Sequence, residues 1–126
     1  MESLHNAKNL EITYDPQYKY VYCNWIGFQN NENILKSGAV ILDLFKKHGY
    51  TKLLNDNSRV TGPWLAEWTS TTWFPEMINA GLKHFAWILS PDMFAEFSAR
   101  KAMPASDVVK YFQSYDDAYE WLIKQK

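Results

Sequence analysis

The feature that most constrains the fold is an amphipathic helical segment that lies between two strand-like runs. In Asn31–His48 the apolar side chains recur at gaps of three and four residues, which places them on one helix face, while the charged residues lie elsewhere. The run before it, Tyr18–Trp25, is rich in tyrosine and valine, and the run after it, Thr51–Asn55, is short and apolar. A strand, a helix and a strand in this order predict a right-handed crossover between two parallel strands.

The remaining segments extend this pattern along the chain. Leu10–Tyr14 alternates like a strand and predicts a hairpin with Tyr18–Trp25. The later segments are a helix beginning near Pro63 and broken or kinked just before Pro75, a strand at Lys83–Leu89, a helix from Met93 to about Lys101, a strand at Val108–Phe112 and a final helix opening at Ser114. The order β-β-α-β-α-β-α-β-α predicts an α/β fold with a mixed, mostly parallel five-stranded sheet. We expect one domain over residues 1–126, with residues 1–8 as a loose N-terminus.

The composition excludes several classes of function. The net charge is −1, with acidic and basic residues interspersed, so no basic stripe is present and nucleic acid is not an expected partner. No apolar run approaches the roughly 18–20 residues of a membrane span, and the first residues lack the pattern of a signal peptide. Cys23 is the only cysteine, which excludes an internal disulfide and favours a reducing compartment. We therefore expect a cytoplasmic protein.

The stretch from Leu53 to Trp64 is the main candidate for function. An apolar strand runs into small polar residues and then into a Thr-Gly-Pro sequence typical of a helix start. In α/β proteins such strand-to-helix junctions commonly carry the working groups. The candidate partner-binding residues are Asn55, Asp56, Asn57, Arg59 and Trp64.

Each of these polar residues also has a structural alternative. Ser58 and Thr61 are candidates for capping the helix that follows. Asp56 and Arg59 are candidates for pairing with each other or for bonding the backbone of the turn. As a general base, Asp56 would need a nearby acid or nucleophile, and the local sequence offers none.

Aromatic residues make up 17% of the chain, which suggests more rings than a small core requires. Trp25, Phe28, Trp68 and Phe94 are the candidate contacts for an apolar ligand, with burial in the core as the alternative. The tyrosines of the predicted hairpin recur at even spacing, so an open sheet face would present them to solvent or to a second copy of the chain. They are Tyr14, Tyr18, Tyr20 and Tyr22.

The sequence predicts neither a metal site nor a cofactor. The three histidines are scattered, no pair has metal-ligand spacing, and no glycine-rich loop followed by lysine comes after a strand. No catalytic nucleophile and base can be paired from local motifs. We therefore expect a protein that is not an enzyme.

Three segments resemble the SpoIIAA-like branch of the STAS domain family (sulfate transporter and anti-sigma factor antagonist). They are Phe45–Gly49 with the strand that follows, Trp73–Trp87 and Phe112–Leu122, and the likeness spans roughly Leu10 to Lys124. The resemblance implies the fold and a regulatory role, in which phosphorylation of a serine at the start of the helix after the third strand switches binding to an anti-sigma factor.

The positions of this chain that match the regulatory serine hold Ser58 and Thr61, which are the candidate phosphorylation sites. Arg59 and Val60 replace the small residues of the family motif, so we carry over the position and not the switch. SpoIIAA-like proteins are also compared with lipid-binding CRAL-TRIO domains. That comparison implies an apolar or amphipathic ligand.

These observations predict a non-enzymatic regulatory module that binds a protein partner, with a homodimer as one form of that interaction. The expected contact surface is the edge from Asn55 to Trp64. The alternative is a small carrier or sensor of a lipid-like ligand, held between the second predicted helix and the sheet. The sequence identifies neither the partner nor the biological process.

Overall fold

A computed structural model describes residues 1–100, 103 and 106–126. Its strands are β1 (Glu2–Asn6), β2 (Leu10–Asp15), β3 (Tyr20–Phe28), β4 (Lys52–Thr61), β5 (His84–Ile88) and β6 (Val109–Phe112). Its helices are α1 (Asn31–His48), α2 (Ala66–Trp68), α3 (Phe74–Asn79), α4 (Pro91–Arg100) and α5 (Tyr115–Ile123), and a π-helical turn (Thr69–Trp73) joins α2 to α3. The helix predicted from Met93 was expected to end at about Lys101, and that residue lies outside the described residues.

The six strands form one sheet in the order of the sequence, from β1 to β6. The first three strands are antiparallel, and β3, β4, β5 and β6 are parallel to one another. From β3 to β6, each connection leads to the next strand in the same direction across the sheet. Because such crossovers are right-handed, the helices between the parallel strands lie on the same face of the sheet. The main hydrophobic core lies beneath them, whereas α5 covers part of the other face through a smaller cluster around Leu54 and Leu122.

The mixed, mostly parallel α/β architecture confirms the predicted fold class, but the sheet has six strands and the prediction of five is wrong. The additional strand is β1, so the prediction of a loose N-terminus is also wrong. Glu2 pairs with Tyr14 and Asn6 with Glu11, and Leu4 packs against the main core. A short, mostly polar segment gives a weak strand signal on its own, and it becomes a strand because it completes the free edge of β2.

Helix α1 begins and ends at the predicted residues because both of its ends are capped. The side chain of Asn30 accepts a hydrogen bond from the Asn33 amide at 2.7 Å. Gly49 follows the helix with a φ of 69° and donates its amide to the Phe45 carbonyl at 2.9 Å.

Strand β4 is twice as long as predicted and runs through the polar cluster to Thr61. Strand β3 provides a parallel partner for this whole length, since Cys23 pairs with Asn55 and Phe28 with Thr61. The following helix therefore begins at Ala66 instead of Pro63. The predicted change just before Pro75 corresponds to the π-helical turn, which ends where α3 begins and leaves Pro75 in the first turn of α3.

Candidate functional site

The alternation of strand β4 divides the candidate residues between the two faces of the sheet. Asn55 and Asn57 point into the main core with exposures of 1% and 0%, and Asp56 lies on the opposite face with an exposure of 6%. Between Asn24 and Ile26 of β3, the partner residue on β4 advances from Asp56 to Arg59, which marks a β-bulge. The bulge leaves Ser58 and Arg59 exposed.

Asn55 and Asn57 hold buried tryptophans in place. The Trp25 Nε1–H donates to Asn55 Oδ1 at 2.8 Å, and the Trp87 Nε1–H donates to Asn57 Oδ1 at 2.7 Å. Asn55 Nδ2 donates to Asn57 Oδ1 at 3.3 Å. Both asparagines are therefore part of the core in this structure and do not present their side chains to a partner.

Asp56 is held by two donors on the other face of the sheet. The Tyr22 hydroxyl donates to its Oδ2 at 2.7 Å, and the Ser58 amide donates to its Oδ1 at 2.9 Å. Burial, and then the hydrogen bond to Asp56, raise the pKa of Tyr22 well above its usual value of 10.0. Tyr22 therefore stays a neutral hydroxyl donor.

The structural alternatives for these residues have different outcomes. The predicted bond of Asp56 to the local backbone is confirmed by the Ser58 amide, whereas the pairing of Asp56 with Arg59 and the helix caps are wrong. Among the described residues Asp56 and Arg59 form no ion pair, because the bulge separates them along the strand. Ser58 and Thr61 do not cap a helix, since both lie within β4 and the next helix begins at Ala66.

Trp64 is buried, with an exposure of 6%, and packs edge-to-face on Trp25 with ring centroids 4.9 Å apart. Its Nε1–H donates to Thr69 Oγ1 at 3.0 Å, and its backbone amide donates to Glu96 Oε1 at 2.8 Å. The indole ring is therefore fixed inside the protein. It cannot serve as a surface anchor in this conformation.

The four candidate contacts for an apolar ligand do not come together. Trp25 is buried, and Trp68 packs above Gly38 of α1. Phe28 is 65% exposed, and its ring lies over Gly62. Phe94 is 46% exposed on α4, where helical spacing places it on the opposite flank from Glu96, the residue that contacts Trp64.

The enclosed space between the sheet and the helix after β4 is too small for a lipid-like ligand. Its volume is about 10 Å³, which is at most the room of one water molecule. Its walls are mostly indole rings: Trp25, Gly38, Asn55, Trp64, Trp68, Thr69, Trp73 and Trp87. In this structure the chain has no room for a carried ligand at the expected place.

The outer surface at the carboxyl ends of β3 and β4 is open instead. A groove of about 430 Å³ runs between Phe28–Glu32 and Pro63–Trp64, and a second groove of about 560 Å³ continues past Pro63 to Thr72 and Glu96. The strand order never reverses, so the sheet lacks the switch-point crevice in which α/β proteins commonly bind ligands. The edge is therefore a surface with grooves.

The even-spaced tyrosines divide between the hairpin turn and the two faces of the sheet. Tyr14 packs on Tyr50 at the main core, and Tyr18 is exposed in the turn. Tyr20 and Tyr22 lie on the other face, where Tyr119 and Tyr115 of α5 contact them edge-to-face. Helix α5 thus covers part of the face that the sequence predicted to be open.

Sequence reasoning missed Asn24 and Glu11, which lie on the same face of the sheet as Tyr22. Asn24 is 7% exposed, and its Nδ2 donates to Glu11 Oε1 at 3.3 Å. The alternation of β3 was the available signal, because it places a polar Asn24 two residues after Tyr22 on the same face.

The described part of the chain contains no group of three or more histidine, cysteine, aspartate or glutamate side chains that could hold a metal ion. Burial raises the pKa of the Cys23 thiol far above its usual value of 9.0, so this cysteine is not an activated nucleophile. Within the same residues, no helix has the length and apolar character needed to cross a membrane.

No protein-family model and no curated protein matches the chain. Among solved structures, a candidate anti-sigma factor antagonist from Thermotoga maritima matches with a TM-score of 0.70 at 16% identity, over 90% of this chain and 93% of that one. An uncharacterised protein of the DUF3478 family from Shewanella loihica, described as having a SpoIIAA-like fold, matches with a TM-score of 0.55 at 16% identity, over 90% of this chain and 91% of that one. The chain therefore has the SpoIIAA-like fold of anti-sigma factor antagonist structures.

Proposed function

We propose that this chain is a non-enzymatic, cytoplasmic, STAS-type regulatory module that binds a protein partner. The contact surface of the proposal is the exposed part of the Asn55–Trp64 edge together with the end of β3. We call it the edge surface; it consists of Phe28, Ser58, Arg59, Thr61 and Pro63. One structural neighbour is named as a candidate anti-sigma factor antagonist, which supports a regulatory role through a protein contact.

The observation that carries the proposal is the exposed ring of Phe28. It is 65% accessible and lies over Gly62, which has a φ of 81° and no side chain to displace the ring. The register pairs Phe28 with Thr61 and Ile26 with Arg59, so the exposed Arg59 lies on the neighbouring strand, opposite the residue two positions before Phe28. Aromatic residues and arginine are the side chains that most often dominate the binding energy of protein interfaces.

The buried residues behind the edge surface favour a preformed contact. Trp64 and Asn55 are fixed by hydrogen bonds to Thr69 and Trp25, which makes the backbone beneath the edge rigid. A rigid surface loses little conformational freedom on binding. The space inside the fold holds about one water molecule, so the edge surface supports a protein contact better than a carried lipid.

Phosphorylation of Ser58 or Thr61 stays a prediction within this proposal. Both side chains are exposed, and Arg59 lies between them in sequence. A phosphate would add a charge of about −1.5 to −2 next to this guanidinium and so change the charge of the edge surface. A homodimer through the edge surface also stays a prediction.

Partner capture from the native host tests the proposal. The test variant is Phe28→Ala with Arg59→Glu, which changes two exposed side chains. Trp64→Ala is unsuitable, because removing a buried tryptophan costs about 3–5 kcal/mol of stability. The matched control is Ile78→Ala with Lys83→Glu, which changes an exposed apolar residue and an exposed lysine away from the edge surface.

The captured protein is to be identified by mass spectrometry and its binding measured again with both purified components. We expect the wild type and the control variant to bind the same partner and the Phe28→Ala, Arg59→Glu variant to lose it, with all three proteins folded. Equal binding by the folded test variant would show that the edge surface is not the contact.

A further inference from the structure

A row of polar side chains crosses three neighbouring strands on the face of the sheet that α5 covers only in part. Strand pairing places Glu11 beside Asn24 and Asn24 beside Asp56. Adjacent strands are about 4.8 Å apart, and paired residues point to the same face. Glu11, Asn24 and Asp56 therefore lie side by side; we call them the polar row.

The middle member of the polar row has an acceptor atom without a donor. Asn24 is 7% exposed, and its Oδ1 is buried without a hydrogen-bond partner among the described residues. Its Nδ2 donates to Glu11 Oε1 at 3.3 Å, so turning the amide over would place Oδ1 against the Glu11 carboxylate. The hydroxyl of Thr13, next to Glu11 in alternation on β2, is likewise buried and unpartnered. Buried polar atoms without partners are rare and require an explanation.

The two outer members of the polar row are carboxylates without a cation. Neither Glu11 nor Asp56 has an ion pair among the residues that the structure describes. Arg59 lies further along the same face and lowers the pKa of Tyr22 through its charge, but it bonds to neither carboxylate. Two negative charges and one exposed positive charge leave a site that is rich in acceptors and short of donors.

We propose that the polar row binds a primary ammonium group. This inference rests on the proposed function: in the complex with the protein partner, the ammonium group belongs to a lysine side chain of that partner. An ammonium is a compact charge with three donors, and the row offers the Asn24 Oδ1 and two flanking carboxylates. Glu11 is exposed, so its side chain can move aside from its long hydrogen bond to Asn24 and admit the ligand. The ring of Tyr22, which packs edge-to-face with Tyr115, lies beside the row.

Nuclear magnetic resonance titration of the isotope-labelled full chain tests this site directly. The probe is Nα-acetyl-L-lysine methylamide, and the matched probe is the norleucine analogue, which has a similar stem without the ammonium. We expect saturable shifts of the Asn24 side-chain amide and of the Glu11 backbone with the lysine probe alone. The absence of a saturable shift up to about 50 mM, or equal shifts with both probes, would overturn the proposal.

Variants separate the site from the rest of the surface. Glu11→Gln keeps a hydrogen-bond acceptor for Asn24 and removes the charge, and we expect it to weaken lysine binding by about 2–5-fold, as for an exposed ion pair. Glu76→Gln removes an exposed carboxylate on α3 and is expected to bind like the wild type. Equal weakening by both variants would show that only the total charge of the protein matters.

A stability measurement distinguishes a binding role of Asn24 from a structural one. Because its unpartnered acceptor is a cost in the free protein, we expect Asn24→Val to raise the Tm by about 3–6 °C while lysine binding is lost. A lowered Tm would show that Asn24 stabilises the fold and would overturn the proposal. If the lysine probe fails while the edge surface variant still loses its partner, the ammonium site is wrong and the proposed function stands.

Discussion

The substitution of Gly38 by alanine tests how the helices pack on the sheet. A Cβ at this position would lie 2.6 Å from Trp68 Cη2 and 3.2 Å from Trp73 Nε1. Trp73 cannot move away without loss, because its ring is 4% exposed and its Nε1–H donates to the Gly38 carbonyl at 2.9 Å. Close packing against these two rings therefore explains a glycine in the middle of α1.

Two effects of opposite sign decide the outcome. Alanine is favoured over glycine within a helix by about 1 kcal/mol, whereas an added methyl in a well-packed site costs about 1–3 kcal/mol. We expect packing to win and the free energy of unfolding to fall by about 1 kcal/mol, which lowers the Tm by about 3–6 °C for a chain of this size.

The assay is urea unfolding followed by tryptophan fluorescence. Ala39→Gly is the matched control, because Ala39 is the exposed neighbour of Gly38 in α1 and reports helix propensity without the packing effect. If Gly38→Ala stabilises the protein by as much as Ala39→Gly destabilises it, the contact with the tryptophan rings does not constrain this position and the reasoning is refuted.

Three further predictions concern buried or partly buried groups. Tyr22→Phe removes the donor to the buried Asp56 carboxylate, and urea unfolding is expected to show a loss of about 1–3 kcal/mol; an unchanged midpoint would contradict this. Burial and the nearby lysines lower the pKa of His84 from 6.5, so the unfolded chain binds a proton that the folded chain does not; the Tm should fall as the pH drops below about 6.5, and less so in His84→Gln. Cys23 should react with a thiol reagent only after unfolding, and rapid modification of the native protein would show that the site opens.

The elements with local signals at both ends could be predicted from the sequence. Helix α1 has the expected bounds because Asn30 and Gly49 are capping residues that act within their own turn. The alternation of strands and helices was sufficient for the fold class, since it determines a parallel sheet with crossover helices.

Strand β4 could not be predicted to its full length, because distant residues stabilise its second half. Asn55 and Asn57 look like loop residues in the sequence, yet their side chains accept hydrogen bonds from distant tryptophans. Trp25 lies 30 residues before Asn55, and Trp87 lies 30 residues after Asn57. The strand β1 likewise depends on the free edge of β2, which is not visible in its own residues.

The candidate edge stays a prediction, and the structure changes which of its side chains are exposed. The expected junction is a continuous strand, so alternation and the bulge turn Asn55 and Asn57 inward and leave Ser58 and Arg59 outside. Trp64 was expected to be an apolar anchor because it follows the Thr-Gly-Pro sequence at this junction, but its ring is buried and packs on Trp25. The Phe28 ring lies over Gly62, and this contact between residues far apart in the sequence has no local signature.

The central claim is that this chain works by binding a protein through its edge surface and does not carry a small molecule. Native mass spectrometry of the protein purified from its own host without denaturation tests it most directly. We predict the mass of a complex with a partner protein, without a small-molecule adduct, and its loss in the Phe28→Ala, Arg59→Glu variant. A monomer that carries a bound mass of the size of a lipid would contradict the account.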